Sequence, residues 1–199
     1  PASVLTEKGR TQALFIGKRF VKIPIDLVIS STLGRAKQTA EIINKYLNAK
    51  IVFDDRLVDI NCGIFNNRPV VDHQNYFKNR LEMFTEKPEG AETLIDVRRR
   101  MMAAVLEINR KHRDENILIV SHGDSLWMLQ TGLLGLGNQE SLDWSDKNYL
   151  RVGKIKNLKF NNWPFDENGL LDLHRPYIDV VFLACPQCDN QVKRVKEVA

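Results

Sequence analysis

Residues Asn116 to Asp124 constrain the fold more than any other stretch of the chain. Ile117, Leu118, Ile119 and Val120 form an unbroken apolar run that stops abruptly at Ser121-His122-Gly123. A strand with one wet face alternates apolar and polar residues, so an unbroken run bounded by polar residues reads as a strand buried on both faces. Such a strand needs helices on both sides of its sheet. Ligands of open α/β sheets bind beyond the carboxyl ends of the strands, so His122, followed by a glycine that lets the backbone turn, stands where a site forms. A histidine at a strand end serves equally well as a structural cap bonded to a neighbouring loop. The rest of the chain decides between the two.

Upstream the same grammar recurs. Thr6 is a candidate N-cap, followed by Ala13, Ile16, Gly17 and Phe20 at helical spacing. Pro24 closes that helix, and Asp26 to Ser30 reads as a second buried strand running into Ser31-Thr32-Leu33-Gly34. A helix from about Arg35 turns Ala36, Ala40, Ile43 and Leu47 inward, and Ile51-Val52-Phe53 is a short strand. From Asp54 to Pro88 no period holds, as expected of an irregular, lid-like insertion. A long helix is predicted from about Glu92, with Leu94, Val97, Met101, Val105 and Ile108 as core, and another after His122 through Leu126, Leu129 and Leu133. Lys154 to Phe160 alternates like an edge strand. The expected fold is therefore α/β, with three layers and a largely parallel sheet flanked by helices on both faces. Residues 1–162 make that domain. Residues 163–199, where neither a helical period nor a long strand stands out, read as an extended segment of a second one.

Composition narrows the class. The net charge of +4 over 199 residues makes no case for nucleic acid, and much of the excess lies in Lys193, Arg194 and Lys196. No apolar run is long enough to cross a membrane and no signal peptide is visible. The three cysteines, Cys62 alone and Cys185 with Cys188, make no disulfide framework, so a cytoplasmic location is expected. A start at Pro1 and an end at Glu197-Val198-Ala199 suggest a segment of something longer.

Several residues at strand ends suit phosphoryl chemistry. Guanidinium groups match phosphate oxygens bidentately, and Arg35 follows a strand at the start of a helix, where the helix dipole also favours an anion. His122 ends the next long strand. Asp59 and Glu92, in or beside the irregular insertion, are candidate acids for a departing oxygen. Each has a plain alternative: Arg35 a surface helix residue, Asp59 a turn residue, Glu92 a first-turn acid favoured by the helix dipole.

Together these segments resemble the histidine phosphatase superfamily, the phosphoglycerate-mutase-like fold, over about Leu5 to Phe160. Leu5-Thr6-Glu7-Lys8-Gly9-Arg10-Thr11-Gln12-Ala13 is similar to its "LTxxGxxQA" helix start, and Ser30 to Ala40 to its "SSPLxRAxQTA" motif. Leu57-Val58-Asp59-Ile60-Asn61-Cys62-Gly63 resembles "LxExxxG", Gly90-Ala91-Glu92-Thr93 resembles "GGES", and Val120-Ser121-His122-Gly123 resembles the motif of the family's second histidine. The resemblance implies that Arg35 and His122 bind phosphate and that Asp59 or Glu92 supplies the acid. It implies a phosphorylated small molecule or nucleotide as substrate, hydrolysed through a phosphohistidine with no cofactor. The family's first strand, a central one ending in Arg-His-Gly with the nucleophile, is missing: His73, His112 and His174 lack that context. Thr32 replaces a proline and Asp59 a glutamate. This chain alone is therefore expected to be inactive as a phosphatase.

The tail carries a second resemblance. Asp172-Leu173-His174-Arg175-Pro176-Tyr177-Ile178-Asp179, with Cys185-Pro186-Gln187-Cys188 and Lys193-Arg194-Val195 after it, is similar to isoleucyl-tRNA synthetase. This implies a parent isoleucine-tRNA ligase that carries the phosphatase-like domain as an insertion, with tRNA and ATP as partners of that parent only. Cys185 and Cys188 have the spacing of half a tetrahedral zinc site, or are two free thiols. The competing readings are a phosphatase domain, a non-catalytic insertion that shapes the synthetase or contacts tRNA, and a zinc-dependent nucleic-acid module built on the tail.

Overall fold

The structure, a computed structural model, describes residues 4–112, 115–159 and 179–184. Helix α1 spans Glu7–Phe20, and the Thr6 side chain caps it by accepting the Gly9 N–H at 3.1 Å. Strand β1 (Leu27–Ser30) leads into α2 (Gly34–Leu47), which ends at a left-handed Asn48 before β2 (Lys50–Phe53). The expected irregular insertion consists of short 3-10 turns and one five-residue helix, α3 (Val70–Gln74). Helix α4 (Leu94–Lys111) starts at a reciprocal capping box, in which Thr93 and Asp96 each accept the other's backbone N–H. Strand β3 (Ile117–Ser121) and helix α5 (Gly123–Leu133) follow, then α6 (Asn138–Asn148), β4 (Ile155–Lys159) and β5 (Asp179–Ala184).

The strands form one five-stranded sheet in the order β2-β1-β3-β5-β4. Neighbours are parallel except β4, which runs antiparallel to β5 at the edge. Period-two alternation along β1 and β3 sorts the core in two. Leu27, Ile29, Ile117 and Ile119 face a layer that includes α4 and α5, where Val97, Met101, Leu126 and Met128 are buried. Val28, Leu118 and Val120 face α1 and α2, against Ala13, Ile16, Phe20, Ala40 and Ile43. The unbroken apolar runs are thus explained, since each residue on them has a helix to cover it.

Two elements differ from expectation. Asp179–Ala184, inside the range read as an extended segment of another domain, is a strand of this same sheet, parallel to β3, with Ser121 opposite Ala184. Its sequence, Asp-Val-Val-Phe-Leu-Ala, is a short apolar run of the kind a central strand needs, six residues with no period to betray it. Helix α6 also went unpredicted, because its buried face is built mostly from serines, Ser141 and Ser145, with Leu142 between them. The carboxyl ends of β1 and β3 lie side by side, and the Ser31 N–H donates to the Val120 carbonyl at 2.9 Å. That pairing sets Ser31 and His122, the residues just past each strand, next to one another.

Candidate active site

His122 is the N-cap residue of α5 and is almost wholly buried. Its Nε2 lies 2.8 Å from the Ser31 hydroxyl, and its Nδ1 lies 3.9 Å from Asp59 Oδ2. Arg35, in the first turn of α2, donates from Nη2 to that same Asp59 oxygen at 2.9 Å. The structure therefore brings Arg35, Asp59 and His122 together from three separate segments. Burial and the nearby Arg35 and Arg100 cations push the His122 imidazole well below its ordinary proton affinity, against a smaller opposing pull from Asp124. The ring is neutral at pH 7. Gly123 leaves room for Tyr149: a Cβ there would come within 2.3 Å of the Tyr149 hydroxyl and push the ring aside, and that hydroxyl donates to Asp124 at 2.7 Å.

Glu92 stands one step back. Its two oxygens receive Arg100 Nε at 2.8 Å and Nη2 at 3.0 Å, and the Asn61 N–H donates to it at 2.9 Å. The same guanidinium donates to the carbonyls of Arg56, Val58 and Asp59 at 2.7–3.1 Å. Ser121 and Ser125 hydroxyls hold the Leu57 and Val58 carbonyls at 2.7 and 2.6 Å. The loop that presents Asp59 is thus tied from below by β3 and α5 and from the side by α4. An isolated buried guanidinium or carbonyl is expensive, and here each satisfies the other.

Arg100 escaped notice in the sequence, although a signal was available. It lies three residues after Val97 and four before Ala104, both fully buried, so the helix face carries it inward and a charge there must find partners. The other described histidines lie elsewhere: His73 sits edge-on to Phe65 and Phe77 in the insertion, and His112 caps the end of α4 beside Glu115. Cys185 and Cys188 fall outside the described residues, as does His174.

A buried histidine thus stands beside an arginine–aspartate pair at the carboxyl ends of adjacent parallel strands, where open α/β sheets bind their ligands. Comparison with known sequences matches the profile of the histidine phosphatase superfamily (branch 1) to residues 2–154. The chain belongs to the histidine phosphatase superfamily. Among relatives, a Salmonella choleraesuis protein described as a probable phosphoglycerate mutase, GpmB, is 33% identical over 139 residues, which are 67% of this chain and 65% of that protein. The chain therefore spans slightly less than two thirds of that relative's length. Solved structures of the superfamily superpose on it: YhfR of Bacillus stearothermophilus, at 27% identity and a TM-score of 0.65, covers 85% of this chain and 82% of its own. The native mycobacterial glucosyl-3-phosphoglycerate phosphatase, at 25% identity and a TM-score of 0.63, covers 75% and 74%. Among the described residues of this superfamily member, no helix is long and apolar enough to cross a membrane.

Proposed function

We propose that this domain binds the phosphoryl group of a small phosphomonoester between Arg35 and His122, and that in the complete protein the ester is hydrolysed through a phosphohistidine. The observation that carries this reading is the shared oxygen of Asp59, which holds Arg35 at 2.9 Å and faces His122 Nδ1 at 3.9 Å. A phosphate entering there takes over the Arg35 fork and accepts from the imidazole. Asp59, released from Arg35 as the phosphate takes its place, is the acid placed to protonate the leaving oxygen. Asp59 suits that task better than Glu92 because it faces His122 Nδ1 at 3.9 Å, whereas Glu92 is paired to Arg100. No step in this scheme calls for a metal, because fixed cationic donors stabilise the charge. The names of the Salmonella and mycobacterial relatives both concern phosphoglycerate compounds, which supports a phosphorylated small molecule as ligand.

The nucleophile is proposed to come from upstream sequence that carries the family's Arg-His-Gly strand. In this chain β5 holds the place beside β3, so an incoming strand would have to displace it or pair at another edge. The link of residues 163–199 to an isoleucine-tRNA ligase, with its tRNA, ATP, cytoplasmic location and half zinc site, rests on the HRPYID and CPxC strings. Reading the coding sequence on either side tests it.

Titration of the 199-residue chain with inorganic phosphate or orthovanadate tests the pocket. Saturable binding that falls at least about tenfold in Arg35→Ala is expected, the loss of one charge-assisted fork. Absence of binding by the unaltered chain overturns the reading. Turnover of a phosphomonoester by this chain, abolished in His122→Ala, would overturn the assignment of the nucleophile to another segment.

A further inference from the structure

We propose that Ser31 is a positioning residue that locks His122 in the tautomer with the proton on Nδ1, so that the ring offers the pocket a donor. The inference rests on the phosphate-pocket reading for its consequence, though not for its geometry. Ser31 is fully buried. Its Oγ accepts the Leu33 N–H at 3.2 Å and lies 2.8 Å from His122 Nε2.

A hydroxyl has one proton and two lone pairs. The Leu33 N–H occupies one lone pair, so the fate of the Ser31 proton depends on the ring. Were the ring proton on Nε2, it would take the other lone pair, and the buried hydroxyl proton would be left with no acceptor among the described residues. With the ring proton on Nδ1, Nε2 accepts from Ser31 and every group is satisfied. The chain of donation then runs from the Leu33 N–H to Ser31 and from Ser31 to Nε2. The outward atom is Nδ1–H, aimed at the space it shares with Asp59 Oδ2 and Arg35. The opposite tautomer would turn a lone pair toward an incoming phosphate oxygen and repel it.

The backbone makes this geometry robust. Ser31 is held to β3 by its own N–H on the Val120 carbonyl, and the Ser30 hydroxyl donates to the Ser31 carbonyl at 3.1 Å. Serine and imidazole are thus mounted on adjacent strands of the same sheet.

Long-range nitrogen–proton correlation spectra of the full chain, labelled with 15N-histidine and recorded without any anion, read the tautomer directly. A protonated Nδ1 and a bare Nε2 at His122 are expected. Ser31→Ala should give a mixture of tautomers and weaken inorganic phosphate by about tenfold, and Ser31→Thr should restore the single form. An Nε2-protonated ring in the unaltered chain overturns the proposal, whether or not the variants fold. So does an unchanged tautomer in Ser31→Ala. Should the tautomer follow Ser31 while phosphate fails to bind, the pocket reading falls and the positioning role stands.

Discussion

Replacing Arg100 with methionine is the most searching test of how the site is held. Methionine keeps most of the volume and removes the guanidinium, which makes two contacts to Glu92 and donates to three carbonyls of the 56–59 loop. Arg100 and Glu92 side chains are 16% and 23% exposed, so water screens the pair only in part. Breaking a buried pair by removing one partner costs about 3–5 kcal/mol. The residual exposure favours the lower end, while the orphaned carbonyls add to it, so a loss of about 3–4 kcal/mol is expected. For a chain of this size each kcal/mol moves the midpoint by about 2–4 °C, giving a fall of about 10 °C. Urea denaturation followed by circular dichroism measures the free energy. A cycle with Glu92→Gln should show coupling of at least about 1 kcal/mol, because the two groups form one unit. Arg100→Lys should recover only part of the loss, since an ammonium cannot span carboxylate and carbonyls at once. A loss under about 1 kcal/mol with no coupling would show that the loop is held by the Ser121 and Ser125 hydroxyls alone and refute the reasoning.

Two further outcomes follow from single residues. The buried neutral His122 resists protonation, whereas in the unfolded chain it takes a proton near its ordinary value of 6.5; its contribution to stability is therefore full above that pH and lost as pH falls below it. The stability advantage of the unaltered chain over His122→Gln should shrink by about 1.4 kcal/mol between pH 7.5 and 5.5, and a pH-independent difference would contradict the buried, neutral assignment. Gly63 has φ +58°, and a Cβ there would lie 2.1 Å from the Glu89 carbonyl and 2.7 Å from the Ala91 nitrogen. Since both neighbours are backbone, Gly63→Ala should cost about 2–4 kcal/mol by urea denaturation, combining the left-handed strain with overpacking, and a neutral result would show that the turn is free to rearrange.

Much of the fold was legible because its periods are local. The apolar runs at Leu27–Ser30 and Ile117–Ser121 announce doubly covered strands, and the stripe from Leu94 to Ile108 announces a core helix. The motif residues Arg35, Asp59 and His122 could be named before any geometry, because each sits just past a strand or in the insertion between strands. The role of Glu92 was not legible. Its carboxylate, just ahead of the Thr93 N-cap, is claimed by a guanidinium eight residues on, and nothing in the sequence before α4 tells a free acid from a paired one.

By itself the sequence determined the α/β class, the helix and strand boundaries around the core, and the candidate pocket residues, since those follow from hydrophobic period and from the chemistry of strand ends. Tertiary structure alone decided that Asp179–Ala184 stands beside β3, that Asp59 and not Glu92 meets His122, and that Ser31 faces the imidazole. The physical reason is range. Periodicity is set by neighbours a few residues apart, while Ser31 and His122 are 91 positions apart in the chain, and only the parallel pairing of β1 with β3 brings them within a hydrogen bond.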